Sequence, residues 1–386
     1  MTAALDAAFA AAGFVAPGYA GPSLTDVLPA CAHALGATGV GAPARAARLG
    51  LPAAERVCVV LVDGLGHRML TERSGHAPFL RSALGDAREL TAAFPSTTAA
   101  SMGVFGTGLP AGRTGMVGYT VRNPDTGSLA NLVSWEGAGD PHGWQREATV
   151  FERLRDGGRE VTSVGPPRFE GSGLTEAALR GARYVGAEGL ADRVDAALLE
   201  LMAPGLVYLY WGDVDKAGHQ YGWRSREWAD QLTALDRELA RLARSMPRGT
   251  VLVVTADHGM VDVPQGGVVD VASTPALSKD VPLIAGEPRA SHLHVAAGQV
   301  DDVLTRWQEV LGDAVVLARR DEAVAAGWFG EVSEHVRPLL GDVVVAATGD
   351  GGVGDSRTQT ARSLELRGMH GSFTPGEMLV PLVVVT

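Results

Sequence analysis

Four short segments gather side chains able to hold divalent cations: Val62-Asp63-Gly64-Leu65-Gly66, Asp215-Lys216-Ala217-Gly218-His219, Asp257-His258-Gly259 and His370-Gly371. They supply three carboxylates, Asp63, Asp215 and Asp257, and three imidazoles, His219, His258 and His370. That is enough for two adjacent ions, each with roughly three protein ligands and an open position, as a catalytic centre requires. Oxygen and nitrogen donors without thiolate suit zinc, and also manganese or iron, better than calcium. Each segment alone has a plainer reading: Asp63 as a cap or turn residue, Asp215 and His219 as a helical side-chain pair, Asp257-His258-Gly259 as a turn, His370 as a core histidine. Their convergence at one place is what a metal centre needs and what packing does not.

A second constellation is Phe94-Pro95-Ser96-Thr97-Thr98-Ala99-Ala100-Ser101-Met102. Proline, then hydroxyl residues, then small residues read as the start of a helix, where unpaired N–H groups and the dipole favour an anion. A hydroxyl there, coordinated by a metal, loses its proton near neutral pH and becomes a nucleophile toward phosphorus. Plain capping by Ser96 or Thr97 is the alternative.

The elements that must position these groups are legible as short apolar runs with amphipathic stretches between them, the pattern of an α/β fold with a mostly parallel central sheet flanked by helices. Val57 to Val62 ends at Asp63, Leu206 to Trp211 leads to Asp213 and Asp215, and Val251 to Thr255 ends at Asp257. The carboxylates thus fall at C-terminal strand ends, the edge where open α/β sheets bind ligands. Leu190 to Met202 and Arg226 to Met246 read as helices, the latter with Leu232, Leu235, Leu239 and Leu242 at helical spacing. Beyond about residue 275 the texture changes to a strand-like Ser291 to Ala297, an amphipathic Val300 to Leu311, and Val343 to Thr348 before a Gly-rich stretch. Residues 276–365 are therefore expected to form a smaller inserted α+β subdomain, and 20–275 with 366–386 the core, the run Leu379 to Val385 returning to the main sheet.

Composition narrows the partners. The 386 residues carry 33 Lys and Arg against 44 Asp and Glu, a net charge of −11, which argues against duplex nucleic acid or an anionic membrane surface as partner. Hydrophobic residues at 46% permit a sizeable core, and no window approaches the roughly 18 uncharged apolar residues of a spanning helix. Met1 to Phe14 lacks a basic start and carries Asp6, which reads poorly as a signal peptide, so a soluble cytoplasmic protein is expected. The two cysteines, Cys31 and Cys58, exclude a disulfide framework and are expected to be inert.

Taken in order, Asp63-Gly64, Phe94-Pro95-Ser96-Thr97-Thr98, Asp215-x-x-Gly218-His219-x-Tyr221-Gly222, Asp257-His258-Gly259-Met260 and His370-Gly371 resemble the alkaline phosphatase superfamily, most of all its nucleotide pyrophosphatase/phosphodiesterase branch, over roughly residues 57 to 375. The resemblance implies a two-zinc site, Asp63, Thr98, Asp257 and His258 holding one ion and Asp215, His219 and His370 the other. It implies Thr98 as nucleophile, with Thr97 and Ser96 as neighbours that a one-residue shift would promote. Tyr210 resembles a substrate-pocket tyrosine of the branch. Ser101 stands where the branch is expected to carry an asparagine that donates to a phosphoryl oxygen, and no arginine suited to a dianionic phosphate replaces it.

The implied reaction is hydrolysis of a small-molecule phosphoric ester, as a phosphodiesterase or nucleotide pyrophosphatase, through a covalent phosphothreonine. A phosphomonoesterase or phosphonate hydrolase on the same site, or a catalytically silent phosphate- or nucleotide-binding protein, are the alternatives. No C/S-x-P-x-R setting of a sulfatase is present. Gly349-Asp350-Gly351-Gly352-Val353-Gly354 matches a dinucleotide fingerprint formally, but its acidic residues oppose pyrophosphate, and it reads as a mobile loop. His292 and His294, at strand spacing, read as surface or packing histidines.

Overall fold

A computed structural model of the chain describes residues 3–37, 39–40, 43–84 and 88–386. The apolar runs become strands: Arg56–Val62 (β1), Arg88–Thr91 (β2), Val161–Gly165 (β3), Arg183–Gly186 (β4), Gly205–Trp211 (β5), Thr250–Thr255 (β6), Leu283–Glu287 (β7), Ala290–His294 (β8), Val315–Arg319 (β9), Val343–Ala347 (β10) and Leu379–Val385 (β11). A seven-stranded sheet has the order β2-β11-β6-β1-β5-β3-β4. β6, β1, β5, β3 and β4 run parallel, and β11 returns antiparallel between β6 and β2. Val57 to Val62 are wholly buried, as a parallel sheet covered on both faces demands.

Register does the positioning. Val62 lies opposite Trp211, and Leu61 opposite Thr255, so the chain leaves β1, β5 and β6 at one level, just before Asp63, Asp213 and Asp257. The helices follow their apolar stripes. Arg226–Ser245 starts at Ser225, whose side chain accepts from the Trp228 N–H, and buries Trp228, Leu232, Leu235, Leu239 and Leu242. Each such side chain stabilises by about 1.5–3 kcal/mol.

A second, four-stranded antiparallel sheet has the order β7-β8-β10-β9. Its strands alternate. Val343 and Val345 pack with Trp307 and Leu311 of the helix Val300–Leu311, whereas Val344 and Ala346 join the main core. Arg289, in the turn between β7 and β8, is fully buried and paired with Glu377 at 2.8 Å, which ties this sheet to the segment leading into β11. The same guanidinium donates to the carbonyls of Thr348, Gly349 and Gly351. The Gly-rich stretch expected to be a mobile loop is therefore held, and Gly352–Gly354 forms a short parallel pair with Val268–Asp270.

His292 is a packing histidine, its Nε2 donating to Val117 O and its Nδ1 accepting from Gly341 N. His294 is also buried. Both cysteines are free and buried, and burial pushes both thiols up. Among the described residues no helix is long and apolar enough to cross a membrane.

Candidate active site

Asp63 leaves β1 with its N–H still bonded to Trp211 O at 2.8 Å, so the sheet ladder fixes its backbone. Gly64 has φ +72, donates to Asp257 Oδ1 at 3.0 Å, and lies where any Cβ would come within 2.8 Å of Asp215 Cβ. Only glycine lets the β1 turn approach the helix Asp213–Tyr221 this closely. On that helix Asp215 and His219 are four residues apart and meet at 3.3 Å. Asp257 and His258 follow β6 and are completely buried.

These side chains form two groups. The candidate ligand atoms of Asp63, Asp257 and His258 lie within 4.8 Å of one another, and so do those of Asp215, His219 and His370. The groups touch through the stacked rings of His258 and His370, 3.6 Å between centroids. Six of the seven expected ligands, the three carboxylates and three imidazoles, are thus brought together.

The three imidazoles share one device. His258 Nδ1 bonds Gly259 O at 3.0 Å, His219 Nδ1 bonds Gly368 O at 2.7 Å, and His370 Nδ1 bonds Ser96 O at 2.9 Å. A carbonyl oxygen can only accept, so each neutral ring carries its proton on Nδ1 and presents an Nε2 lone pair to the site. His219 Nε2 and His370 Nε2 face each other at 3.2 Å, two lone pairs with no hydrogen between them unless a ring is protonated. Burial, with the neighbouring imidazoles, pushes His370 well below the usual histidine range, against that protonation.

The carboxylates are in the same condition. Burial, then Asp257 and Asp215, raise the Asp63 carboxyl well above its ordinary value, and burial carries Asp257 up to about 7. Among the described residues Asp215 Oδ1 and Asp257 Oδ2 are buried without a hydrogen-bond partner, and no arginine or lysine pairs with any of the three. Uncompensated buried carboxylates facing imidazole lone pairs are the donor set of a divalent cation site, and the residues fit such ions.

Thr98 is the first residue of the helix Thr98–Thr107, with Thr97 at its N-cap. Its Oγ1 lies 3.2 Å from His258 Nε2 and 3.5 Å from Asp63 Oδ1. Ser96 is occupied elsewhere: its Oγ donates to Ser372 O at 2.7 Å and accepts from Gly371 N at 3.2 Å. Thr97 borders two adjoining cavities, of about 460 and 630 Å³, but its hydroxyl reaches neither ligand group by a hydrogen bond. Ser101 is not brought to the site. It is fully buried one turn inside the helix, its Oγ has no partner, and it lines neither cavity.

Tyr210 donates to Asp63 Oδ2 at 2.5 Å and lines a cavity of about 460 Å³ that also contains Thr98, Asp215, His219 and His370. Phe169, Tyr184 and Tyr208 line it too, with Arg168 over the Phe169 ring at 4.8 Å. β5 delivers Tyr208 and Tyr210, β4 delivers Tyr184, and the turn after β3 delivers Phe169. Sequence reading missed it because aromatic residues in scattered strands form no motif, the strand end at Gly165 being the one available signal.

The family model described as type I phosphodiesterase / nucleotide pyrophosphatase matches residues 57–373. Ectonucleotide pyrophosphatase/phosphodiesterase family member 7 of Mus musculus is 40% identical over 63 residues, 15% of this chain and 14% of that protein. The chain therefore spans about one-seventh of the length of the first such relatives. Phosphopentomutase of Anaeromyxobacter sp. strain K is 37% identical over 115 residues, 29% of this chain and 28% of its own length. Among solved structures, murine ectonucleotide pyrophosphatase / phosphodiesterase 5 superposes with TM-score 0.69 at 18% identity, covering 84% of this chain and 87% of its own. Phosphonoacetate hydrolase from Sinorhizobium meliloti 1021, in complex with phosphonoacetate, gives 0.66 at 22% identity, covering 85% and 89%. At such identities the superpositions speak to the fold alone, an α/β core shared with those two proteins. With 57–373 matched from the first sheet-edge aspartate past His370, the chain belongs to the type I phosphodiesterase / nucleotide pyrophosphatase family.

Proposed function

We propose that the protein is a metal-dependent hydrolase of phosphoric esters, a phosphodiesterase or nucleotide pyrophosphatase acting through a phosphothreonine at Thr98. The observation that carries this reading is two adjoining groups of carboxylates and histidines, each histidine with Nδ1 bonded to a backbone carbonyl, the first group meeting the Thr98 hydroxyl through His258 and Asp63.

Asp63, Thr98, Asp257 and His258 would hold one ion, and Asp215, His219 and His370 a second. Zinc suits the donors best, with manganese and iron as alternatives. Bound there, divalent ions supply Lewis acidity, lowering the pKa of coordinated hydroxyl or water and neutralising phosphoryl charge.

The chain's own residues do the rest. Thr98 Oγ1 bonds to phosphorus as the opposite P–O bond breaks, and the leaving group departs with the electron pair. The Thr98 proton has an acceptor in reach at Asp63 Oδ1. Free N–H groups at the start of the helix Thr98–Thr107 suit the phosphoryl oxygens, a role for which the buried Ser101 is poorly placed. Tyr210 holds Asp63 and walls the aromatic cavity, which suits a planar arm of the substrate. Water then displaces Thr98 from phosphorus and restores the hydroxyl.

Thr98→Ala should lower turnover of bis-p-nitrophenyl phosphate by at least about a thousandfold while bound metal, measured by elemental analysis, is retained. Near-normal turnover would remove Thr98 from the mechanism. Faster turnover of p-nitrophenyl phosphate than of the diester would favour the monoesterase reading.

A further inference from the structure

A second cavity, of about 630 Å³, meets the first at Thr97, Tyr119, His219 and His370. Unlike the first, it touches neither Thr98 nor Asp63. Thr98 lines the first cavity alone, and an in-line displacement sends the leaving group away from the attacking oxygen, so the second cavity offers a leaving group a space removed from Thr98. Its wall is contributed chiefly by residues 119–136, by the β7–β8 hairpin and by residues 358–370.

The chemistry of that wall is distinctive. Apart from His219 and His370, its charged residues are Glu136 and Glu287, and among the described residues no lysine or arginine lines it. Asn131, Gln359, Thr360 and Ser363 add amides and hydroxyls. Glu287 is 7% exposed, one oxygen accepting the Tyr119 N–H at 2.9 Å and the other, Oε1, buried without a partner among the described residues. Ionised, such a carboxyl oxygen accepts from a hydroxyl and repels a phosphate; protonated, it can serve either, and the discrimination then falls to Glu136 and to the lack of side-chain cations.

We infer that the second cavity receives the leaving group and selects a neutral, hydroxyl-bearing one, a polyol or sugar, over one carrying phosphate. The inference rests on the hydrolase reading above and deepens it. A pyrophosphate leaving group would meet two carboxyl side chains and no side-chain cation beyond the ligand groups themselves, whereas a polyol finds acceptors and donors on several sides.

The test uses esters of phenylphosphonic acid, whose P–C bond fixes which arm departs: the glyceryl ester, the methyl ester and the mixed anhydride with phosphate. In the metal-loaded protein the glyceryl ester should exceed the methyl ester in kcat/KM by about tenfold, the worth of one or two recovered hydrogen bonds. It should also match or exceed the anhydride, although phosphate is the better leaving group. Glu287→Ala should erase most of the glyceryl preference. Because that buried replacement could disturb folding, the exposed Glu136→Lys serves as the second variant and should shift the ratio toward the anhydride by about fivefold. Equal glyceryl and methyl rates, an anhydride preferred by the unaltered protein, or a Glu136→Lys ratio that does not move would each overturn the inference while turnover of bis-p-nitrophenyl phosphate keeps the hydrolase reading. No turnover of any ester would bring down both.

Discussion

Asp63, Asp257 and His258 leave the ends of two neighbouring strands and are almost wholly sealed from solvent, whereas Asp215 and His219 stand on a helix, His370 on a loop, and two of those three are only half-buried. The first group inherits its geometry from the hydrogen-bond ladder of the central sheet. The second is assembled across longer distances in the chain: His219 on Gly368 O, His370 on Ser96 O, Gly371 on Ser96 Oγ, and Ser372 N on Glu377. Glu377 is in turn paired with Arg289 of the four-stranded sheet. A rigid floor beside a wall held by tertiary contacts suits the proposed mechanism, in which nucleophile activation would need fixed geometry and leaving-group release would need access.

The sharpest way to break this comparison is at the buried pair. Arg289→Ala strands Glu377 without its cation and should cost about 3–5 kcal/mol in urea unfolding, while the double replacement Arg289→Met with Glu377→Leu should cost much less. A loss under about 1 kcal/mol in the single variant would mean that the pair does not join the two regions.

Next in size, on the proposed two-ion reading Asp215→Asn should weaken the ion of the second group by about a hundredfold and leave that of the first in place, so that gel-filtered protein would carry one ion per chain where the unaltered protein carries two. Loss of both ions would show that the groups bind as one unit. The smallest effect concerns pH. Burial raises the Glu287 carboxyl from 4.5 to about 8. The folded chain therefore binds more protons than the unfolded chain between those values, and stability falls as pH rises through that window. Glu287→Gln should flatten the dependence of the thermal midpoint on pH there, and an unchanged slope would assign it to other groups.

Much of the first group was readable because strand and ligand are contiguous: β1 runs straight into Asp63, and β6 into Asp257 and His258. Asp215 and His219 were readable from their four-residue spacing, which on a helix puts them on one face. Ser101 was misleading for a reason of helix geometry. The site lies beyond the N-terminus of the helix Thr98–Thr107, and a residue three positions further in sits about 4.5 Å along the axis, inside the core. The Gly349–Gly354 stretch looked free because nothing local holds it, and the guanidinium that does so comes from Arg289.

Local chemistry, then, settled by itself which side chains carry oxygen and nitrogen donors, which strands end in them, and which threonine begins a helix, because each of these depends on neighbours a few positions away. The fold alone decided that His219 and His370 face each other at 3.2 Å, that Glu287 and Tyr119 border a second cavity, and that Ser101 is turned away. Those outcomes depend on how helices, loops and two sheets pack, and packing joins residues that no sequence spacing connects.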